Sequence, residues 1–214
     1  MRLIRSLTRA PRFGATAVET LAAATVALFL SIRFASSLVW LLLPLGLIVP
    51  FGRRLSEHGL ELRFRPPSIA VHAALGASLL ALYAAIHALV AHVFLHQSFV
   101  LRMPRNPLLD LVREFLIVGF PEEVFFRGYL QTRWNRVCGK PWRIFGASVG
   151  AGLLLQAIVF AACHLVTGDW TRLRVFFFAL FAGWLRERSG SVLAPAVYHA
   201  VANVWYRSLA ASFR

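Results

Sequence analysis

Seven apolar runs, at about 14–32, 35–51, 68–96, 107–131, 144–166, 172–187 and 190–209, leave this chain few choices of fold. A bilayer core about 30 Å thick takes a helix of about 20 apolar residues, and most of these runs approach that length. Backbone polar groups in hydrocarbon must bond within their own segment, so runs of this kind become helices. Composition points the same way. The 214 residues are 58% hydrophobic and only 15% charged, whereas soluble domains average about 45–50% apolar and about a quarter charged. The expected fold is all-α: a polytopic transmembrane bundle of about seven spans around a polar cavity. No internal repeat or long linker divides it.

The net charge is +14, but the basic residues sit in short clusters between apolar runs. That is the pattern of membrane flanks and excludes a nucleic-acid partner; the bilayer is the partner of such a surface. Alternating spans from the N-terminus, one side collects Arg2, Arg5, Arg9, Arg12, Arg53, Arg54, Arg63, Arg65, Arg133, Arg136, Lys140, Arg143, Arg186 and Arg188. The other collects Arg33, Arg102, Arg105, Arg172, Arg174, Arg207 and Arg214. The split of 14 to 7 places the N-terminus in the cytoplasm. The basic start "MRLIRSLTRAPR" runs into an apolar stretch too long for a signal peptide and without a clear cleavage site, so the first span is expected to be uncleaved. Cys138 and Cys163, in a basic loop and an apolar run, are not expected to pair.

An ionisable group inside a span is costly, about 2.5–3.5 kcal/mol on insertion scales, and faces the bundle interior. "FPEEVFFRGYLQ" carries three of them, Glu122, Glu123 and Arg127. Glu123 and Arg127 are four apart and share a helix face, with the acid N-terminal. Glu122 points about 100° away. Glu123 is therefore the partner of Arg127 and Glu122 the carboxylate left for chemistry. "FAACH" adds Phe160 and His164, and "HAVAN" adds His199 and Asn203, again four apart. A glutamate and a histidine can take a proton from water and aim it at a carbonyl. A histidine and an amide can donate to the oxyanion that forms. Together they suffice for peptide hydrolysis without a covalent nucleophile.

These clusters match EExxxR, FxxxH and HxxxN in order. Over about 108–208 the chain resembles the CPBP family, the CAAX proteases and bacteriocin-processing enzymes of the intramembrane endopeptidases. The resemblance implies a helix bundle enclosing a water-filled cavity. It implies Glu122 and His164 as activators of water, His199 and Asn203 as oxyanion donors, and Glu123, Arg127 and Phe160 as support. It divides the chain into N-terminal spans at 1–106 and a protease core at 107–209. The family has been described both as metalloproteases and as glutamate-type. Two histidines and a carboxylate can bind zinc, and Glu122, His164 and His199 would be the ligands. Asn203 is a poor zinc ligand and a good donor, so the expectation is a site without metal or other cofactor. The expected substrate is a membrane-presented protein or peptide: a C-terminal sorting helix first, then a leader peptide or a prenylated tail. The expected location is a bacterial inner membrane.

Two other classes compete. A scaffold or immunity protein could keep the motifs as a structural network. A proton-coupled transporter would show inverted repeats, and none is visible. His92 and His96 have no acid nearby and suit a span end. Ser189 and Ser191 suit a loop and a helix cap, Asp169 a loop cap, and Asp110, Arg113 and Glu114 the polar face of a lead-in helix. Measured from the basic loops at 1.5 Å per residue, Glu122 lies about 15 Å deep, His199 about 16 Å and His164 about 30 Å. The four motif residues should nevertheless surround one water-sized cavity, with the helix of His164 entering after about Ala147.

Overall fold

The computed structural model describes residues 2–50, 54–60 and 69–214. Arg53, Arg63 and Arg65 of the orientation count, and Phe51 and Ser68 at the ends of two expected runs, lie outside the described residues. The seven apolar runs fold as seven helices among them. These are α1 (Arg2–Arg33), α2 (Val39–Ile48), α3 (Ile69–Leu89, extended by a π-helical turn to Phe94) and α4 (Pro107–Cys138). After them come α5 (Ala151–His164), α6 (Val175–Ser189) and α7 (Leu193–Ser212).

Two stretches, Phe13–Arg33 and Ala70–Phe94, are long and apolar enough to cross a membrane. Only 6% of the second is covered by the rest of the protein. Val71, Leu82, Ile86, Leu89 and Phe94 stand exposed along it, a surface that lipid covers and water does not tolerate. The other runs depart from simple spans. α2 has 10 residues and α5 has 14, so they extend only about 15 Å and 21 Å of a core about 30 Å thick. The run expected as one helix from 144 to 166 begins as a β-hairpin, β1 (Trp142–Ile144) paired antiparallel with β2 (Ala147–Val149). Ile144 O accepts the Trp184 indole N–H at 2.9 Å, which holds the hairpin to α6.

α4 is the central helix. It continues past the expected end at Gln131 to Cys138 and changes winding on the way. Glu114–Gly119 and Val124–Gln131 are π-helical, and the four residues Phe120–Glu123 between them are α-helical. Every residue from Val124 to Gln131 is buried, so the other helices surround this stretch on all sides. Trp40 of α2 packs on Phe125 and Phe126, with ring centroids 4.9 and 5.1 Å away, and Phe160 of α5 meets Phe126 at 4.8 Å.

The helices alternate between two ends. At the N-terminal end, His58 is fully buried and its Nδ1–H donates to Gly128 O at 2.8 Å. Val192 N donates to Gly59 O at 2.9 Å, and Arg186 donates to Glu57 O at 3.1 Å and to the Thr132 hydroxyl at 2.9 Å. Gly59 has φ +70°, which lets the chain turn back there without strain. Glu187 collects Gln131, Asn135 and Lys140 at 2.9–3.0 Å. At the opposite end, Ser98 N donates to Arg214 O and Val100 N to Ser212 O, tying the 95–106 segment to the end of α7.

Close packing of α5 on α4 needs a small residue at Gly152. A Cβ there would lie 2.9 Å from Gln131 O and 3.0 Å from Asn135 N, both backbone atoms. Gly152→Ala should therefore lower stability by about 1–3 kcal/mol, the usual range for overpacking. Gly46→Ala, where a Cβ meets nothing within 4 Å, should not. Thermal unfolding of the two variants in detergent checks the contrast.

Candidate active site

The site is assembled around Glu123, whose side chain is fully buried on α4. Its Oε1 lies 3.0 Å from Arg127 Nη1, the intrahelical pair expected from the spacing. The same oxygen lies 2.8 Å from His199 Nδ1 on α7. Gly119 permits that approach: a Cβ there would meet Ala196 O at 3.1 Å and His199 Cβ at 3.4 Å. Arg127 is equally buried, and its guanidinium sits over the ring of Phe160 at 4.6 Å and of Phe178 at 5.6 Å. The cation thus has a carboxylate and two aromatic faces in place of water.

His199 bridges both glutamates. With Nδ1 on Glu123, its Nε2 lies 3.9 Å from Glu122 Oε2. The two carboxylates diverge along α4 as expected, and the imidazole is wide enough to reach both. Glu122 Oε2 is buried and has no hydrogen-bond partner among the described residues. His164, at the C-terminal end of α5, lies 2.8 Å from Phe160 O through Nδ1. A carbonyl only accepts, so Nδ1 carries a proton and donates it to Phe160 O. The Phe160 ring lies tilted against His164 with centroids 4.5 Å apart, so one residue holds His164 through both its carbonyl and its side chain.

Glu122 and His164 line one cavity of about 230 Å³ together with Phe126, Cys163, Arg172, Trp40 and the turn between α1 and α2. This is much larger than the roughly 30 Å³ of a single water. The N-terminal helices, without a role in the sequence reading, form one of its walls. The depths agree once the true helix ends are used. Glu122 is 16 residues from Cys138 and His164 13 residues from Ala151, about 24 and 20 Å. α7 starts deep, because Val192 is bonded to Gly59 beside Gly128. That adds about 15 Å to the 9 Å between Leu193 and His199.

Two of the four expected residues do not line the cavity. His199 stands behind Glu122. Asn203 turns away: its Nδ2 donates to Glu114 Oε2 at 2.8 Å, and Glu114 Oε1 accepts from Arg207 at 2.7 Å. Glu114 is therefore no part of an exposed polar face. An acid one span-turn inside an apolar run was the available signal, and it was the same signal that marked Glu122. Phe178 had none, since nothing in the sequence pairs it with His199, which it meets at 4.8 Å. The three side chains considered for zinc do not form a ligand cluster. Among the described residues, no three His, Cys, Asp or Glu side chains are grouped to hold a metal ion.

The other polar residues are placed structurally. Ser191 was expected as a helix cap, but the N-cap is Val192 and has no side-chain cap bond; Ser191 Oγ accepts from Leu193 N at 3.2 Å in the turn before the helix. Asp169 accepts from the Thr171 amide and hydroxyl at 2.9 and 2.7 Å, bonds that hold its carboxyl below the usual carboxylate range. Cys138 and Cys163 are free thiols.

Residues 104–205, which contain all three motif clusters, match the family model described as type II CAAX prenyl endopeptidase Rce1-like. This part of the chain is similar to that family. The matched segment is a little under half of the 214 residues and is consistent with the CPBP family named from the motifs. No curated protein and no solved structure matches the chain. The matched segment begins just before α4 and ends within α7, so α1 and α2, which wall the cavity, lie outside it.

The geometry separates the two glutamates. Glu123 holds Arg127 and His199 at once, and removing one member of a buried pair costs about 3–5 kcal/mol. Among the described residues, the one ion-pair contact of Glu122 is with His199 at 3.9 Å. Glu123→Gln should therefore lower the melting temperature far more than Glu122→Gln. Equal losses would show that the carboxylates share one structural task.

Proposed function

We propose that the chain is an intramembrane endopeptidase of the CAAX-protease type that hydrolyses a peptide bond with an activated water. The observation that carries this reading is that Glu122 and His164 face one cavity while Glu123 holds His199 against the back of Glu122. A water between Glu122 and His164 gives a proton to the Glu122 carboxylate, and its oxygen attacks the substrate carbonyl. The proton then passes to the departing amine, which leaves Glu122 ionised again.

The oxyanion is met from α7 after substrate entry turns His199 and Asn203, which do not line the empty cavity, toward the reacting carbonyl. An amide nitrogen has two hydrogens, so the bond from Asn203 to Glu114 leaves one to donate. Doubly protonated, His199 keeps one N–H on Glu123 and presents Nε2–H. The carboxylate then steadies the imidazolium, as the acid of a Ser–His–Asp triad does. Arg127 and Phe160 act only by holding these groups in place. No step draws on a metal or other cofactor. The substrate is a membrane-presented polypeptide, with a C-terminal sorting helix ranked before a leader peptide or a prenylated tail.

Turnover of a candidate substrate in detergent tests the reading. Glu122→Gln should abolish it while the fold persists; retained turnover would point to a scaffold. Asn203→Ala should lower kcat by about 10²–10³ with little change in KM, the usual loss for one oxyanion donor. A strong chelator should leave the rate unchanged. Loss on chelation with recovery on adding zinc would replace the glutamate mechanism with a metal-assisted one.

A further inference from the structure

We infer that the cavity takes its substrate from the non-cytoplasmic face of the membrane, as a stretch of a translocated, membrane-anchored polypeptide. The inference rests on the protease reading of the site and adds the side from which it is reached.

The first observation is where the cavity opens. Its lining outside the helices comes from the turn after α1 (Ala35, Ser36, Ser37) and from the segment after His164 (Val166, Arg172). Both belong to the end of the bundle opposite the N-terminus. No residue of the N-terminal end contributes. There the path beneath Glu122 is closed. His58 is bonded to Gly128 O, Gly59 O to Val192 N, and Arg186 to both Glu57 O and Thr132, with His58 and Gln131 fully buried. Behind Glu122, the pair of Arg127 with Glu123 and the His199 ring fill the space. The loop residues that line the cavity therefore all belong to the end opposite the N-terminus.

The second observation is the charge on the two ends. The alternation of ends assumed in the sequence count holds for every described helix. Ser98 meets Arg214, and Arg174 meets Tyr206 at the mouth end. At the closed end, Ile144 meets Trp184 and Lys140 meets Glu187. Among the described residues, 11 Lys and Arg remain on the N-terminal side without Arg53, Arg63 and Arg65, against 8 on the other once Arg113, in the second turn of α4, joins the mouth side. The richer side is cytoplasmic. The mouth then faces outward.

The chemistry of the occupant follows. Glu122 lies about 22 Å from the start of α4, counting 15 residues from Pro107. A segment reaching it is at membrane depth, and a scissile bond must be presented unwound. An unwound backbone at that depth is tolerated only inside protein or in a wet cavity, which this site supplies. The ligand is therefore an extended peptide whose flanking chain has already crossed the bilayer. A tail modified and held in the cytoplasm would arrive at the closed end.

Labelling in membranes decides the face. In a background lacking Cys138 and Cys163, Ser36→Cys and Val166→Cys report the mouth and Arg143→Cys, on the exposed hairpin, reports the closed end. A membrane-impermeant maleimide should label the mouth variants in right-side-out vesicles and the hairpin variant only in inside-out vesicles. The reverse pattern overturns the inference whatever the activity. Two wild-type assays use one anchored peptide, built with its cleavable stretch outside or inside. Cutting of the outer form alone supports the inference, and cutting of the inner form alone overturns it. If labelling places the mouth outside and neither form is cut, the protease reading fails and takes the proposed substrate with it. Glu122→Gln controls for other proteases in both assays.

Discussion

The structure depends on one carboxylate oxygen. Glu123 Oε1 pairs with the Arg127 guanidinium of its own helix at 3.0 Å and accepts from His199 Nδ1 of α7, with all three side chains buried. A lone carboxylate or guanidinium at this depth would be ruinous, and each is tolerable only because the other is there. Much of the surrounding architecture supports that arrangement. Gly119 lets α7 come close, Phe160 and Phe178 give the guanidinium aromatic faces, and Ala179 O accepts from both Arg127 and Gln156. With Glu123 committed in two directions, its neighbour is left to point into the cavity. The division between a structural and an available glutamate is a consequence of helix geometry at two adjacent positions.

The second organising fact is that both helical ends of the site are anchored by backbone carbonyls. Phe160 O accepts from His164 Nδ1, and Gly128 O receives His58. The change in winding along α4 belongs with this. A π turn takes more residues per turn than an α turn and appears most often at functional sites. The Phe120–Glu123 stretch, set between two π segments, is offset from the phase a uniform helix would give it.

The sequence was legible where a single helix decides the outcome. The Glu123–Arg127 pair followed from spacing four, the motif order from the run of residues, and the number of helices from the number of apolar runs. It was less legible where two helices meet. Nothing in Glu114 says that it will face Asn203, 89 residues later, and nothing in the α1–α2 turn says that it will wall a cavity. The misplaced depth of His164 had a local cause. "WRIFGASV" reads as the start of an apolar helix, but Gly146 at φ +79° makes it a hairpin turn, and the helix starts late. Short helices were also hidden, because hydropathy records how apolar a run is and not how much of it is wound.

The bond between Glu123 and His199 joins positions 76 residues apart, and the second partner lies on the last helix. During synthesis α4 therefore enters the membrane well before α7 exists. Until then Glu123 has only Arg127, and the ring that will stand behind Glu122 is missing. A half-made chain consequently carries its acidic residues in a safe pair and lacks a finished site. The order of the helices along the chain thus acts as a timer: the surroundings of Glu122 are complete only once α7 has docked against α4.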